Sequence, residues 1–144
     1  MALGTKAVQL ILIIDDDPSI LHSLGLVLKQ AGLSSCAAET PAAALAKLED
    51  PAVRLVLQDM NFSRRTGGEE GLDLLAQIQA RRPELPVVLI TAWGSIELAV
   101  AGMKAGAADF ITKPWNNQRV VEAVETTLSI ARLPQDRDAV TTRA

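Results

Sequence analysis

The stretch "LILIIDDDPSILHSLGLVLKQAG", Leu10 to Gly32, joins three different patterns end to end. Five apolar residues run without alternation, three aspartates follow, and Ile20, Leu21, Leu24, Val27 and Leu28 then recur at helical spacing until Gly32. A short unbroken apolar run is the pattern of a strand buried on both faces. Pro18 and Ser19 suit the first turn of a helix, and glycine suits its end. The stretch therefore reads as strand, acidic edge, helix.

The same unit recurs along the chain. "VRLVLQ" (Val53 to Gln58) precedes Asp59, and "VVLI" (Val87 to Ile90) precedes Thr91. Weaker strand signals lie at "LSSCAA" (Leu33 to Ala38) and "DFIT" (Asp109 to Thr112). Helical spacing marks "TPAAALAKLED" from Thr40, with Thr40 as cap and Pro41 at the first helical position. It also marks "EEGLDLLAQIQARR" from Glu69, "SIELAVAGMKAGA" capped by Ser95, and "NNQRVVEAVETTLSIARL" from Asn116. Five βα units predict an α/β fold: a parallel sheet, right-handed crossovers and helices on both faces. Such sheets place their ligands beyond the carboxyl ends of the strands.

Composition narrows the function classes. A chain of 144 residues fits one domain with tails. A formal net charge of -3 and no basic stripe argue against direct binding of nucleic acid or anionic lipid. Cys36 is the single cysteine, so an internal disulfide and a cysteine metal cage are excluded; it is expected as a small core residue in a reducing compartment. "LILII" is too short to span a bilayer and "MALGTKAVQ" lacks the apolar region of a signal peptide, so a cytoplasmic location is expected.

The polar residues that end the strands matter together. Asp15 and Asp16 follow the first strand, Asp59 the third and Thr91 the fourth, and Lys113 lies just past the fifth. All should meet at one edge of the sheet. Two carboxylates about 4 Å apart repel by about 4 kcal/mol at an intermediate dielectric, so three need a cation among them. Lys113 is one candidate and a divalent metal the other. An all-oxygen site with room for water and phosphate oxygens suits Mg²⁺. A hydroxyl and an ammonium opposite the carboxylates suit a phosphoryl group, as at an aspartate that accepts phosphate.

"LIIDDDPSI", "VLQDMNF", "LITAWGS" and "DFITKPW" occur in that order, and together they resemble the motifs of response-regulator receiver domains of two-component signalling. The resemblance covers residues 9–133, leaving 1–8 as an N-terminal tail and 134–144, "PQDRDAVTTRA", as a linker or disordered C-terminal tail. It implies a flavodoxin-like (βα)5 three-layer sandwich with a five-stranded parallel sheet of order 2-1-3-4-5. Asp59 would be the phosphoacceptor. Asp15 and Asp16 match the acidic pair, with Asp16 as the direct Mg²⁺ ligand, and the backbone carbonyl of Asn61 completes the protein ligands. Thr91 matches the switch hydroxyl, Lys113 the phosphate-binding lysine and Phe110 the aromatic that moves with it. Pro114 matches a position where a cis peptide fixes the lysine. Asp17 is left as a cap of the first helix or a solvated carboxylate.

The family further implies a sensor histidine kinase as partner, an output domain in a longer chain, and a changed face made of helix four, strand five and helix five that supports a homodimer. "DMNF", "TAWGSIELAV" and "TKPW" resemble receivers of sigma-54-dependent transcriptional activators. A stand-alone or phosphorelay receiver acting on a kinase is the alternative. A haloacid dehalogenase-like phosphatase would use Asp15 and Asp17 as its D-x-D pair, but Ser19 stands where its threonine belongs and no distal acidic motif follows. A flavin or dinucleotide binder would need glycines where the three acids stand. A degenerate receiver is opposed by the presence of all five polar positions.

Four features stand outside this pattern. His22 is expected as a partly buried or surface histidine of the first helix rather than a phosphorelay or metal site. Trp93 and Trp115 each follow a motif strand and are read either as core or as contact residues, with Trp93 shielding an acyl phosphate from water. Ordinary receivers reach the glycine of helix three about four residues sooner, so Ser63 to Glu70 forms an insertion beside Asp59.

Overall fold

The computed structural model describes residues 9–60, 69–92 and 96–131. Five strands alternate with five helices: β1 (Leu10–Ile14), α1 (Pro18–Gln30), β2 (Ser34–Ala38), α2 (Pro41–Lys47), β3 (Val53–Asp59), α3 (Glu69–Arg81), β4 (Val87–Thr91), α4 (Ile96–Lys104), β5 (Asp109–Thr112) and α5 (Asn117–Ala131). The strands form one parallel sheet of order β2-β1-β3-β4-β5, so the chain reverses its direction of growth after β2 and leaves a crevice beside β1 and β3. This is the flavodoxin-like order.

Alternation of side chains sorts the core into two layers. Ile11, Ile13, Leu55, Leu57, Val88, Ile90 and Ile111 face one way and pack with Leu21, Leu24 and Leu28 of α1 and Val120, Val124 and Leu128 of α5. Leu12, Ile14, Val56, Val87 and Leu89 face the other way, against Ala44 of α2 and Leu74, Leu75 and Ile78 of α3. Three central strands with no exposed face explain why their apolar runs do not alternate.

Local chemistry sets the ends. Asp17 is the N-cap of α1, its carboxylate accepting from the Ser19 amide and hydroxyl, so the capping alternative for Asp17 holds. Thr40 caps α2 by accepting from the Ala43 amide. Gly32, just past α1, has φ +82°, a conformation open to glycine but strained for other residues. The Asn116 carboxamide accepts from the amides of Gln118 and Arg119 at the start of α5. Ser95, expected to cap α4, lies outside the described residues. Among the described residues, no helix is long and apolar enough to cross a membrane.

Candidate phosphoacceptor site

The carboxyl ends of β1, β3, β4 and β5 converge as the strand pattern demands. Asp59 and Thr91 are the last residues of β3 and β4 themselves, whereas Asp15 and Lys113 stand one residue beyond β1 and β5. Asp15, Asp59 and Thr91 are buried, and Asp16 is exposed. One carboxylate oxygen from each of Asp15, Asp16 and Asp59 lies within 4.8 Å of the others. The Lys113 ammonium sits 3.2 Å from Asp59 Oδ1 and 3.7 Å from Asp15 Oδ2. The lysine thus reaches both buried acids.

Asp15 shows the strain of this crowding. Its Oδ1 accepts from the Asp17 amide at 2.9 Å, while its buried Oδ2 has no hydrogen-bond partner among the described residues. Burial pushes its carboxyl up to about 6; the Asp17 amide opposes the rise, the charge of Asp59 adds to it, and Lys113 opposes it less strongly. Asp17 goes the opposite way: hydrogen bonds from the Ser19 hydroxyl and amide hold its carboxyl below the usual range. A hard divalent cation fits this donor set, because three converging carboxylates, one with a buried oxygen that accepts no hydrogen bond among the described residues, offer oxygen ligands and excess negative charge.

Thr91 and Phe110 share the other layer of the sheet. Leu89 pairs with Phe110 in register, so Thr91 lies two residues further along the same face, and Phe110 is half-buried against the α3 side of the core. The Thr91 hydroxyl is buried without a hydrogen-bond partner among the described residues. The Lys113–Pro114 peptide is cis. Trp115 is half-buried against the α1 and α5 layer, and its indole N–H donates to Asn117 at 3.1 Å, so it is at least partly a core residue. His22 is exposed, the surface one of its two readings. Asn61, Trp93 and residues 63–68 of the insertion lie outside the described residues; Glu69 and Glu70, its last two, form the first turn of α3.

Two features escaped the sequence reading. Arg119 of α5 donates to both oxygens of Asp109, at 3.1 and 3.3 Å, and to the Phe110 carbonyl at 2.9 Å, bracing β5 next to Phe110. Gln58 is fully buried beside Asp59. Its only signal is a polar residue at the end of an apolar run, just before Asp59.

A doubly wound parallel sheet with an acidic crevice, a lysine and a buried hydroxyl at its carboxyl edge defines a flavodoxin-like α/β domain with a candidate metal- and phosphate-binding edge. The family model described as response regulator receiver domain matches residues 11–125, and the chain belongs to that family. It is 36% identical to the transcriptional regulatory protein GlrR of Escherichia coli over 137 residues, 93% of this chain and 30% of that protein. It is 39% identical to the nitrogen assimilation regulatory protein NtrX of Azorhizobium caulinodans, over 88% of this chain and 27% of that one. Among solved structures, NtrX from Brucella abortus in complex with ADP superposes with a TM-score of 0.81 at 34% identity, over 92% of this chain and 29% of that one. A CheY-like receiver domain protein from Methanospirillum hungatei gives 0.76 at 31% identity, over 87% and 97%. The chain therefore spans under a third of the curated relatives named here and nearly all of a lone receiver.

Proposed function

We propose that residues 9–133 accept a phosphoryl group on Asp59 from a sensor histidine kinase in a Mg²⁺-dependent reaction, and thereby control an output domain in a longer chain. The observation that carries this reading is the Lys113 ammonium 3.2 Å from Asp59, inside a cluster of three carboxylates. Asp15, Asp16, Asp59 and the Asn61 carbonyl would hold the metal, which when bound neutralises charge on the phosphoryl oxygens. An Asp59 oxygen attacks phosphorus as the P–N bond to the donor imidazole breaks, and that bond's electron pair returns to the imidazole. Lys113 steadies the new acyl phosphate.

Thr91 then turns its hydroxyl, which has no hydrogen bond among the described residues, toward the phosphate, and Phe110 follows into the vacated space on the shared face. This biases a two-state equilibrium of α4, β5 and α5. Ile96, Val100 and Met103 expose an apolar stripe on α4, which supports a homodimer through this face. Relatives named as transcriptional and nitrogen assimilation regulators support a transcriptional output, and the motif resemblance supports the sigma-54-dependent type. The domain's own catalysis is confined to its phosphorylation and slow autodephosphorylation, in the cytoplasm.

Incubation with Mg²⁺ and acetyl phosphate, followed by intact mass, tests the chemistry. One added phosphoryl group is expected, and none with Asp59→Asn. Phosphate retained on Asp59→Asn would instead place the nucleophile at Asp15, and no uptake by the unsubstituted chain would leave only an interaction module.

A further inference from the structure

Next to the proposed phosphoacceptor, β3 carries a polar side chain that the phosphoryl chemistry does not use. Gln58 is fully buried, preceded in the strand by apolar Leu55, Val56 and Leu57 and followed by Asp59. A buried carboxamide is costly unless hydrogen-bonded, and an aliphatic residue would fill the same space without that cost. Its Nε2 donates to the Gly71 carbonyl in the first turn of α3 at 2.7 Å and lies 3.6 Å from Met60 Sδ, while its Oε1 has no partner among the described residues. A half-satisfied amide is a poor device for general core stability. It is a good device for holding one particular carbonyl.

That carbonyl sits where the chain leaves Asp59. A Cβ at Gly71 would lie 2.8 Å from the Met60 carbonyl oxygen and 3.1 Å from Met60 Cα, so α3 abuts the backbone of the residue after the phosphoacceptor. On the other side, the Met60 amide donates to the Ile90 carbonyl of β4 at 2.8 Å. Met60 is thus gripped between β4 and α3, and Gln58 ties α3 into that grip. Asp59, whose carboxylate belongs to the acidic cluster, is the residue before Met60.

We infer that Gln58 is a positioning residue for the metal site: by tethering Gly71 it holds α3 against Met60 and so fixes the end of β3 that carries Asp59. The inference rests on the phosphoacceptor reading and adds to it a residue outside the acidic cluster. Partners that orient metal ligands without touching the metal typically change affinity by roughly 10- to 100-fold.

The test uses the full chain with Gln58→Met, which keeps the volume and flexibility of the side chain but removes the N–H donors. The thermal midpoint is followed against Mg²⁺ concentration, since a ligand of the folded state raises it by mass action. The rate of phosphate uptake from acetyl phosphate is followed against the same concentrations. The expected result is an apparent Kd for Mg²⁺ raised roughly tenfold, with the metal-free midpoint unchanged or higher and the rate at saturating Mg²⁺ within about twofold of the unsubstituted chain. A Mg²⁺ dependence that superimposes on the unsubstituted chain overturns the inference, whether or not the metal-free midpoint falls. Gln58→Leu serves the same measurement if the methionine variant does not fold. Failure of both to fold also overturns it, because the amide would then be a requirement of the fold. A chain that responds to Mg²⁺ and takes up phosphate, but is indifferent to Gln58, defeats this inference alone; one that does neither defeats the phosphoacceptor reading first.

Discussion

Helices α1 and α4 pack on opposite faces of the same sheet and are held in very different ways. α1 buries Leu21, Leu24, Val27 and Leu28 and opens on the Asp17 cap, whose own amide is bonded to Asp15. α4 buries only Ala99 and Gly102, and turns Ile96, Val100 and Met103 toward solvent. Large buried side chains anchor a helix through many dispersion contacts, whereas Ala and Gly supply few. One side of the domain is built to hold the acidic cluster still. On the other, α4 rests on two small residues, as the proposed switching face requires.

The sharpest way to break this contrast is to empty a socket under α1. Leu28→Ala should destabilise the domain by about 2–5 kcal/mol in urea denaturation, because its site is fully enclosed. A loss no larger than that of an α4 substitution would remove the distinction.

The second prediction concerns the acidic edge from which α1 starts. The Asp15 carboxyl is raised to about 6 from 3.8, so without metal its contribution to stability is fully present below about 3.8 and is lost as pH rises through about 6. In the absence of Mg²⁺, stability should therefore fall by on the order of 2 kcal/mol from this group between those values. Asp15→Asn should flatten that part of the pH profile. Mg²⁺ needs the charged carboxylate, so its apparent affinity should rise over the same interval.

Gly102→Ala comes next in size. A Cβ there would meet Leu89 Cδ1 within van der Waals radii, so either Leu89 or α4 must shift, at about 1–3 kcal/mol. Amide chemical shifts in β5 around Phe110 should move toward those of the phosphorylated domain; shifts confined to Leu89 would show that the helix keeps its seat. The smallest expected effect is that of Val100→Ser on the exposed stripe. It should leave stability within about 0.5 kcal/mol yet weaken self-association of the phosphorylated chain in sedimentation. Unchanged association would remove the stripe from the interface.

The order of elements was legible because each carried its own local signal. Leu10–Ile14 and Val87 to Ile90 are apolar without alternation because they have neighbours above and below, and α1 and α2 announce themselves with Pro at their starts. Helix ends were less legible: the pattern from Thr40 runs to Asp50, but α2 stops at Lys47, where the chain tightens into turn bonds from Leu48, Glu49 and Asp50. The acidic and basic positions could be assigned to one edge because parallel strands all end on the same side. Gln58 could not be interpreted, since nothing local says that a glutamine in a strand will find a glycine carbonyl thirteen residues on. Arg119 was missed for the same reason, its partners lying across a strand-to-helix turn.

By itself the sequence determined the βα alternation, the two-sided burial of the central strands and the identity of the charged groups at their carboxyl ends, because hydrophobic period and turn chemistry act over a few residues. Only the tertiary structure decided that Lys113 approaches Asp59 more closely than Asp15, that an oxygen of Asp15 has no hydrogen bond among the described residues, and that α4 rests on two small residues. Those are matters of distance between segments far apart in the chain, set by the packing of two layers onto one twisted sheet.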